Sequence, residues 1–219
     1  MPDYHPPLFP NEAYHVLNHA NGFENLFANE GNYSFFLQKY MLYVQPIVRT
    51  YAYCLLPNHF HFLVRVRSEG ELEKVWVALK PTSRKFGTFE KLSSKEQSDF
   101  ISRQFGRCFS SYAQAFNKQQ NRKGSLFIPN FKRKPITNDN YFYTVLRYIH
   151  QNPVRHGLRK KLLDWEHSSI HAYYWSKRKS NLERDDVLEW FGGNHSAREK
   201  AFWGFHQQGW SDNDLDLEI

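Results

Sequence analysis

Two histidines separated by a single residue, His59 and His61, stand in the run LLPNHFHFLVRV. On a β-strand, residues i and i+2 project from the same face. Both imidazoles would therefore lie side by side, with Phe60 and Phe62 on the opposite face. Two imidazoles so placed suit a divalent metal. The pattern equally describes a pair of half-buried strand histidines, so H-x-H by itself leaves both readings open. A second constellation is RYIHQNPVRHGL, residues 147–158. Tyr148 and Asn152 are four residues apart and share a face if the segment is helical. Pro153 disfavours helical geometry at the residue before it, which predicts that Asn152 ends the helix. Its amide oxygen could complete a metal shell beside two histidines, one turn from the Tyr148 phenol. Equally, Tyr148 could be a core aromatic and Asn152 a helix cap.

Charge is the third feature. Between Asp99 and Asp139 the chain has no acidic residue but carries Arg103, Arg107, Lys118, Arg122, Lys123, Lys132, Arg133 and Lys134. Interleaved with them are Phe105, Phe109, Tyr112, Phe116, Phe127 and Phe131. A one-signed stretch can neutralise phosphates, and exposed rings can stack on unpaired bases. Arg155 and Arg159 extend the basic surface. The candidate nucleic-acid contacts are Arg122, Lys123, Lys132, Arg133, Lys134 and Arg155. No spacing singles out His15, His19, His150, His156, His167 or His171, which are expected to be surface or packed residues. A glycine-rich phosphate loop, GxSxG and HExxH are all missing from the sequence, which argues against a nucleotide cofactor, a serine hydrolase and a zinc protease.

Bulk properties agree with a folded, nucleic-acid-facing chain. Its 219 residues suffice for one sizeable core, or a core with an extension, and 41% are hydrophobic. Aromatics make up 17%, so some rings are expected on surfaces or in grooves. A net charge of +7 favours a polyanionic partner. Apolar runs fall far short of a membrane span, and MPDYHPPLFP lacks a signal-peptide layout, so a cytoplasmic location is expected. Cys54 and Cys108 form no CxxC pair and fit a reducing compartment as small buried hydrophobes.

The elements that must position these residues follow from periodicity. Residues 13–20 read as a strand ending at the Asn21-Gly22 turn, and 30–45 as a helix stopped by Pro46. Residues 49–56 and 59–66 form a hairpin signal around Pro57-Asn58. A helix is expected around 71–80, a mobile connection after Pro81, and a long helix over 97–119. The run 124–136 looks like an edge strand or ribbon, with Pro129 inside it. Residues 139–151 read as a helix with Asp139 as N-cap. Leaving aside the intermediate helical pieces, this order predicts an α+β fold: a ferredoxin-like antiparallel sheet with helices packed on one face. Residues 1–160 would form the main domain. Residues 161–219 would form a C-terminal helical extension, with helices over 183–191 and 196–207 and an acidic tail at Asp212, Asp214, Asp216 and Glu218.

The run YAYCLLPNHFHFLV resembles the HUH block of single-tyrosine transposases of the insertion sequence 200 type, and RYIHQNPVRHGL resembles the tyrosine block of their REP-associated branch. GSLFIPNFKRKPI is similar to that branch's basic ribbon, and the resemblance runs from about residue 13 to 160. It implies a ferredoxin-like core that cuts and rejoins single-stranded DNA beside a hairpin. It implies His59 and His61 as metal ligands, Asn152 as the third ligand with Gln151 as the adjacent alternative, and Tyr148 as nucleophile. The cofactor implied is Mg²⁺ or Mn²⁺, and the product a 5′-phosphotyrosine with a free 3′-OH. Either a monomer or a homodimer is compatible with it, so Tyr148 could serve its own site or a partner's. The C-terminal runs WEHSSIHAYY and DDVLEWFGG are only loosely similar to some bacterial members. A domesticated DNA-binding protein without catalysis is the alternative, and a water-using phosphohydrolase a further one.

Overall fold

The computed structural model describes residues 5–79, 87–174 and 178–208. The first part of the connection expected after Pro81, through residue 86, and the acidic tail lie outside the described residues. In chain order, β1 (Ala13–His19) leads to α1 (Glu30–Tyr43), then to β2 (Val48–Leu55) and β3 (His59–Val66). Next come α2 (Glu69–Leu79), a 3-10 turn at Phe89–Lys91, α3 (Ser94–Gln119), β4 (Lys132–Pro135) and α4 (Asp139–Arg155). A second 3-10 turn at Leu162–Asp164 precedes α5 (Ile170–Tyr174), α6 (Arg184–Trp190) and α7 (His195–His206).

The four strands form one antiparallel sheet in the order β2-β3-β1-β4, so each strand joined by a helix crossover is separated from its predecessor by another strand. That is the ferredoxin-like arrangement expected from the element order. Helices cover both faces, however, where one face was expected. Phe60 and Phe62 leave β3 toward α1 and α3, where Phe36 lies 5.1 Å from Phe60 and Phe109 lies 5.4 Å from it between ring centroids. His59 and His61 leave the opposite face, which α4 covers through Tyr148. The reason is alternation: β1 and β3 are buried on both sides, so each face needs its own layer.

Phe105, Phe109, Tyr112, Phe116, Phe127 and Phe131 are all buried. They form the core between α3, the 125–131 ribbon and the sheet, so they do not supply the stacking surface expected of them. Their stripe on α3 is the apolar face of an amphipathic helix, each ring removing apolar surface from water for about 1.5–3 kcal/mol. Cys54 and Cys108 are buried free thiols.

Local signals explain the helix ends. Ser93 and Glu96 form a capping box at α3, as Asn29 and Asn32 do at α1. At α4 the cap is Asn138, whose side chain accepts from the Tyr141 N–H, and not Asp139, which occupies the first turn. The helix also runs through Pro153 to Arg155, so Asn152 lies inside it and not at its end. Pro153 removes one N–H, yet the ladder resumes with His156 N–H donating to the Asn152 carbonyl.

The edges of the sheet are covered. Along β2, Leu55 N–H donates to the His167 carbonyl, Ser169 N–H to the Tyr53 carbonyl and Glu183 N–H to the Thr50 carbonyl. The segment after residue 160 thus satisfies edge groups that would otherwise pair with another strand. The expected C-terminal helices are present as α6 and α7. At the other edge, Arg133 donates to the backbone carbonyls of His5 and Pro6, fastening the N-terminal segment over β4.

Candidate active site

The register of β1 and β3 assembles the site. His19 pairs directly with His59, and Leu17 with His61, in an antiparallel ladder whose opposed side chains share a face. His15, His19, His59 and His61 therefore all project toward α4. His19 and His59 stack with centroids 4.4 Å apart, and His15 and His61 stack at 5.1 Å. The period of two in β1 already puts His15 and His19 on one face. What the sequence alone did not show was that this face is the one bearing His59 and His61.

Each of the two β3 histidines has one ring nitrogen held by a neighbour. His59 Nδ1 lies 2.8 Å from the Asn58 Oδ1, to which its N–H donates. His61 Nδ1 lies 2.9 Å from His15 Nε2. The tight 56–58 loop sets this geometry, because Leu26 and Phe27 N–H both donate to the Pro57 carbonyl and Ala20 N–H donates to the Asn58 carbonyl.

From α4, Tyr148 packs edge-on against His61 at 5.4 Å and against His15 at 5.8 Å. The Tyr148 side chain is 1% exposed. One turn on, Asn152 is fully buried, beside the His59 imidazole but not in hydrogen-bonding alignment with it. One turn further, His156 meets His59 edge-on at 5.0 Å. The Arg155 guanidinium carbon sits 5.4 Å from the Tyr148 ring centre. Gln151, the alternative amide, is turned away: its side chain donates to the His206 carbonyl of α7.

Burial dominates the electrostatics. Desolvation, followed by the neighbouring His19 and His156, holds His59 neutral with its pKa pushed down to about 3. Desolvation and the surrounding histidines drive His61 well below its usual value. His15 is lowered to about 3, first by burial and then by the charge of Lys134. Neutral imidazoles are the form that binds metal.

His61 Nε2, Asn152 Oδ1 and Asn152 Nδ2 are buried between β3 and α4 without a hydrogen-bond partner, and His15 Nδ1 on β1 is likewise buried without one. Unsatisfied buried groups cost about 1–3 kcal/mol each, so their gathering between β3 and α4 suits a site completed by a cation. Among the described residues, no group of three histidine, cysteine, aspartate or glutamate side chains could hold a metal alone. The donors present are two imidazoles and an amide oxygen, a set that leaves positions for phosphate oxygens and water and fits Mg²⁺ or Mn²⁺. Cys54 stands opposite His61 in register but remains a protonated thiol, its pKa pushed far up by burial.

The basic residues divide by face. Lys134 pairs with His15 and Lys132 with Leu17, so both lysines leave the sheet on the histidine face, flanking the site. Arg133, between them, leaves the other face and lies over the Phe131 ring. Arg122 is engaged by Glu24, Asn117 and the Ser125 carbonyl, which ties the ribbon to the loop after β1. Lys123 is exposed at the ribbon's start. In that loop Phe23 is fully exposed, unlike the rings of the α3 stripe.

No family model matches the chain. A Haemophilus influenzae protein, named provisionally as a REP-associated tyrosine transposase, is 29% identical over 152 residues, covering 69% of this chain and 71% of its own length. A solved structure of a REP-associated tyrosine transposase bound to a REP hairpin superposes with a TM-score of 0.51 at 17% identity. That match covers 83% of this chain and 90% of the other. The chain is thus similar in sequence to that Haemophilus influenzae protein and shares its fold with the hairpin-bound structure.

Proposed function

We propose that this protein is a transposase that cuts and rejoins single-stranded DNA beside a hairpin, with Tyr148 as nucleophile and His59, His61 and Asn152 as ligands of a Mg²⁺ or Mn²⁺ ion. The observation that carries the reading is the meeting of Tyr148 and Asn152 on α4 with the paired histidines of β3, around polar atoms that nothing else satisfies. Similarity to a provisionally named transposase and to the fold of a hairpin-bound one supports it.

The chemistry divides among this chain's residues. Lys132 and Lys134 draw the phosphate backbone onto the histidine face, and Phe23 offers a ring to an unpaired base. The bound ion supplies charge neutralisation at the scissile phosphate. α4 aims the Tyr148 oxygen, and the Arg155 guanidinium packs against the Tyr148 ring to hold it. As the Tyr148 oxygen bonds to phosphorus its proton leaves. The bond from phosphorus to the 3′ oxygen breaks, and that oxygen takes up a proton. A 5′-phosphotyrosine and a free 3′-OH result, and a second 3′-OH can reverse the step to join a new strand. Tyr148 meets His61 of its own chain, which supports a site assembled within one chain. The segment after residue 160 braces α4 and the β2 edge as a C-terminal extension.

The test is incubation with single-stranded hairpin DNA and Mg²⁺ or Mn²⁺, followed by denaturing gel analysis. The reading requires a covalent protein–DNA adduct that is lost in Tyr148→Phe. Binding without an adduct would favour a domesticated binding protein. Cleavage retained by Tyr148→Phe would favour a water-using phosphohydrolase.

A further inference from the structure

We infer that His15 is a positioning residue of the proposed metal site: its Nε2 accepts the hydrogen on His61 Nδ1 and thereby leaves the His61 Nε2 lone pair available to the ion. This rests on the metal reading above. It concerns a histidine whose sequence spacing drew no attention to it.

The two rings are 2.9 Å apart between Nε2 of His15 and Nδ1 of His61, and His15 is fully buried. Two neutral imidazoles sharing one bond can place the hydrogen in only two ways. If His15 donates, the hydrogen of His61 sits on Nε2, where it blocks coordination and is buried without an acceptor. If His61 donates, its Nε2 carries a lone pair in the same partnerless position, and a cation satisfies it. A bound ion selects the second arrangement, which puts the His15 hydrogen on its Nδ1; that atom is also buried without a hydrogen-bond partner, so it is the ion and not the metal-free hydrogen bonding that makes the choice. His59 is handled in parallel by a different device, since its Nδ1–H donates to Asn58, its neighbour in sequence. The partner of His61 instead comes from another strand, 46 residues away. Metal-bound histidines are oriented by the acceptor of their second N–H, and loss of such acceptors costs about 10–100-fold in metal affinity. Hydrocarbon in place of His15 would fill the space but leave His61 Nδ1 unsatisfied and the ring free to turn.

The experiment is a Mn²⁺ titration of metal-free protein, with unbound Mn²⁺ read by electron paramagnetic resonance. Wild type, His15→Phe, His15→Gln and His61→Ala are compared, with melting temperatures measured in chelator. The expected result is affinity about 10–100-fold weaker in His15→Phe, with recovery in His15→Gln, whose side-chain oxygen can accept. If His15→Phe does not fold, His15→Met serves as the apolar variant. Nitrogen NMR of the Mg²⁺-loaded wild type should find the hydrogen of His61 on Nδ1. Wild-type affinity in the apolar variant, or a hydrogen on His61 Nε2, overturns the role of His15. Wild-type affinity in His61→Ala overturns the metal site itself, and the role of His15 with it.

Discussion

His150 on α4 and His206 on α7 share a buried hydrogen bond of 2.8 Å between Nδ1 and Nε2, and His150 Nε2 meets the Ser169 hydroxyl at 2.8 Å. His206 Nδ1–H in turn donates to the Phe202 carbonyl. This chain of contacts fastens the last helix to the turn of α4 that carries Tyr148 and Asn152.

The buried pair makes stability depend on pH. Burial pushes His206 down to about 4 and holds His150 well below its usual value. In the unfolded chain both titrate near 6.5. As pH falls below about 6.5, the unfolded chain takes up protons that the folded chain refuses. Stability is therefore full above that pH and declines toward about 4, by up to about 1.4 kcal/mol per pH unit for each such histidine. His15 and His59, at about 3, add to the same slope. Urea unfolding of metal-free protein at pH 7.5 and pH 5 should show the decline, and His206→Phe should make it shallower. An identical pH dependence in that variant would remove His206 from the account.

The paired histidines of β3 separate chemistry from binding. His59→Ala and His61→Ala should each abolish cleavage in Mg²⁺ while leaving most hairpin binding intact, because the lysines proposed to meet phosphate stand on β4. Gel shift and cleavage assays on the same DNA check this. Parallel loss of binding would make the pair structural.

Much of this site was legible in the sequence because strand alternation and helical spacing are local. H-x-H fixed the shared face of His59 and His61, and four-residue spacing fixed that of Tyr148 and Asn152. The contributions of His15, His19 and His156 depend on register between strands and on where α4 lands, which no local pattern encodes. The aromatic stripe of α3 misled for a related reason. Rings interleaved with arginines look the same in sequence whether they face a groove or a core, and here the sheet covers them. Pro153 misled differently: tertiary anchoring of α4 outweighed a local preference of the residue before proline.

The split of β4 by face predicts unequal effects among neighbouring basic residues. Lys132→Ala and Lys134→Ala should weaken DNA binding across sequences and lower the salt slope by about one each. Arg133→Ala should change the slope less, since its guanidinium is committed to the N-terminal segment on the other face. Arg122→Ala should act by stability, releasing Glu24 and loosening the ribbon, with a cost of about 1–3 kcal/mol for the partly buried network. Salt titrations of binding and thermal melts distinguish the two kinds of loss. Equal slopes for Lys134→Ala and Arg133→Ala would contradict the assignment by face.

The adjacent amides of α4 give the sharpest separation. Asn152 is buried against His59 with both polar atoms unsatisfied, whereas Gln151 reaches the backbone of α7. Asn152→Ala should weaken Mn²⁺ binding and cleavage together while barely lowering the melting temperature, because it removes no hydrogen bond of the metal-free fold. Gln151→Ala should do the reverse: it lowers the melting temperature by loosening α7 and leaves Mn²⁺ affinity near wild type. Both predictions are read from one Mn²⁺ titration and one melt per variant. If Gln151→Ala lost the metal and Asn152→Ala kept it, the ligand assignment would pass to the other amide, and α4 would have to turn by about 100° to present it.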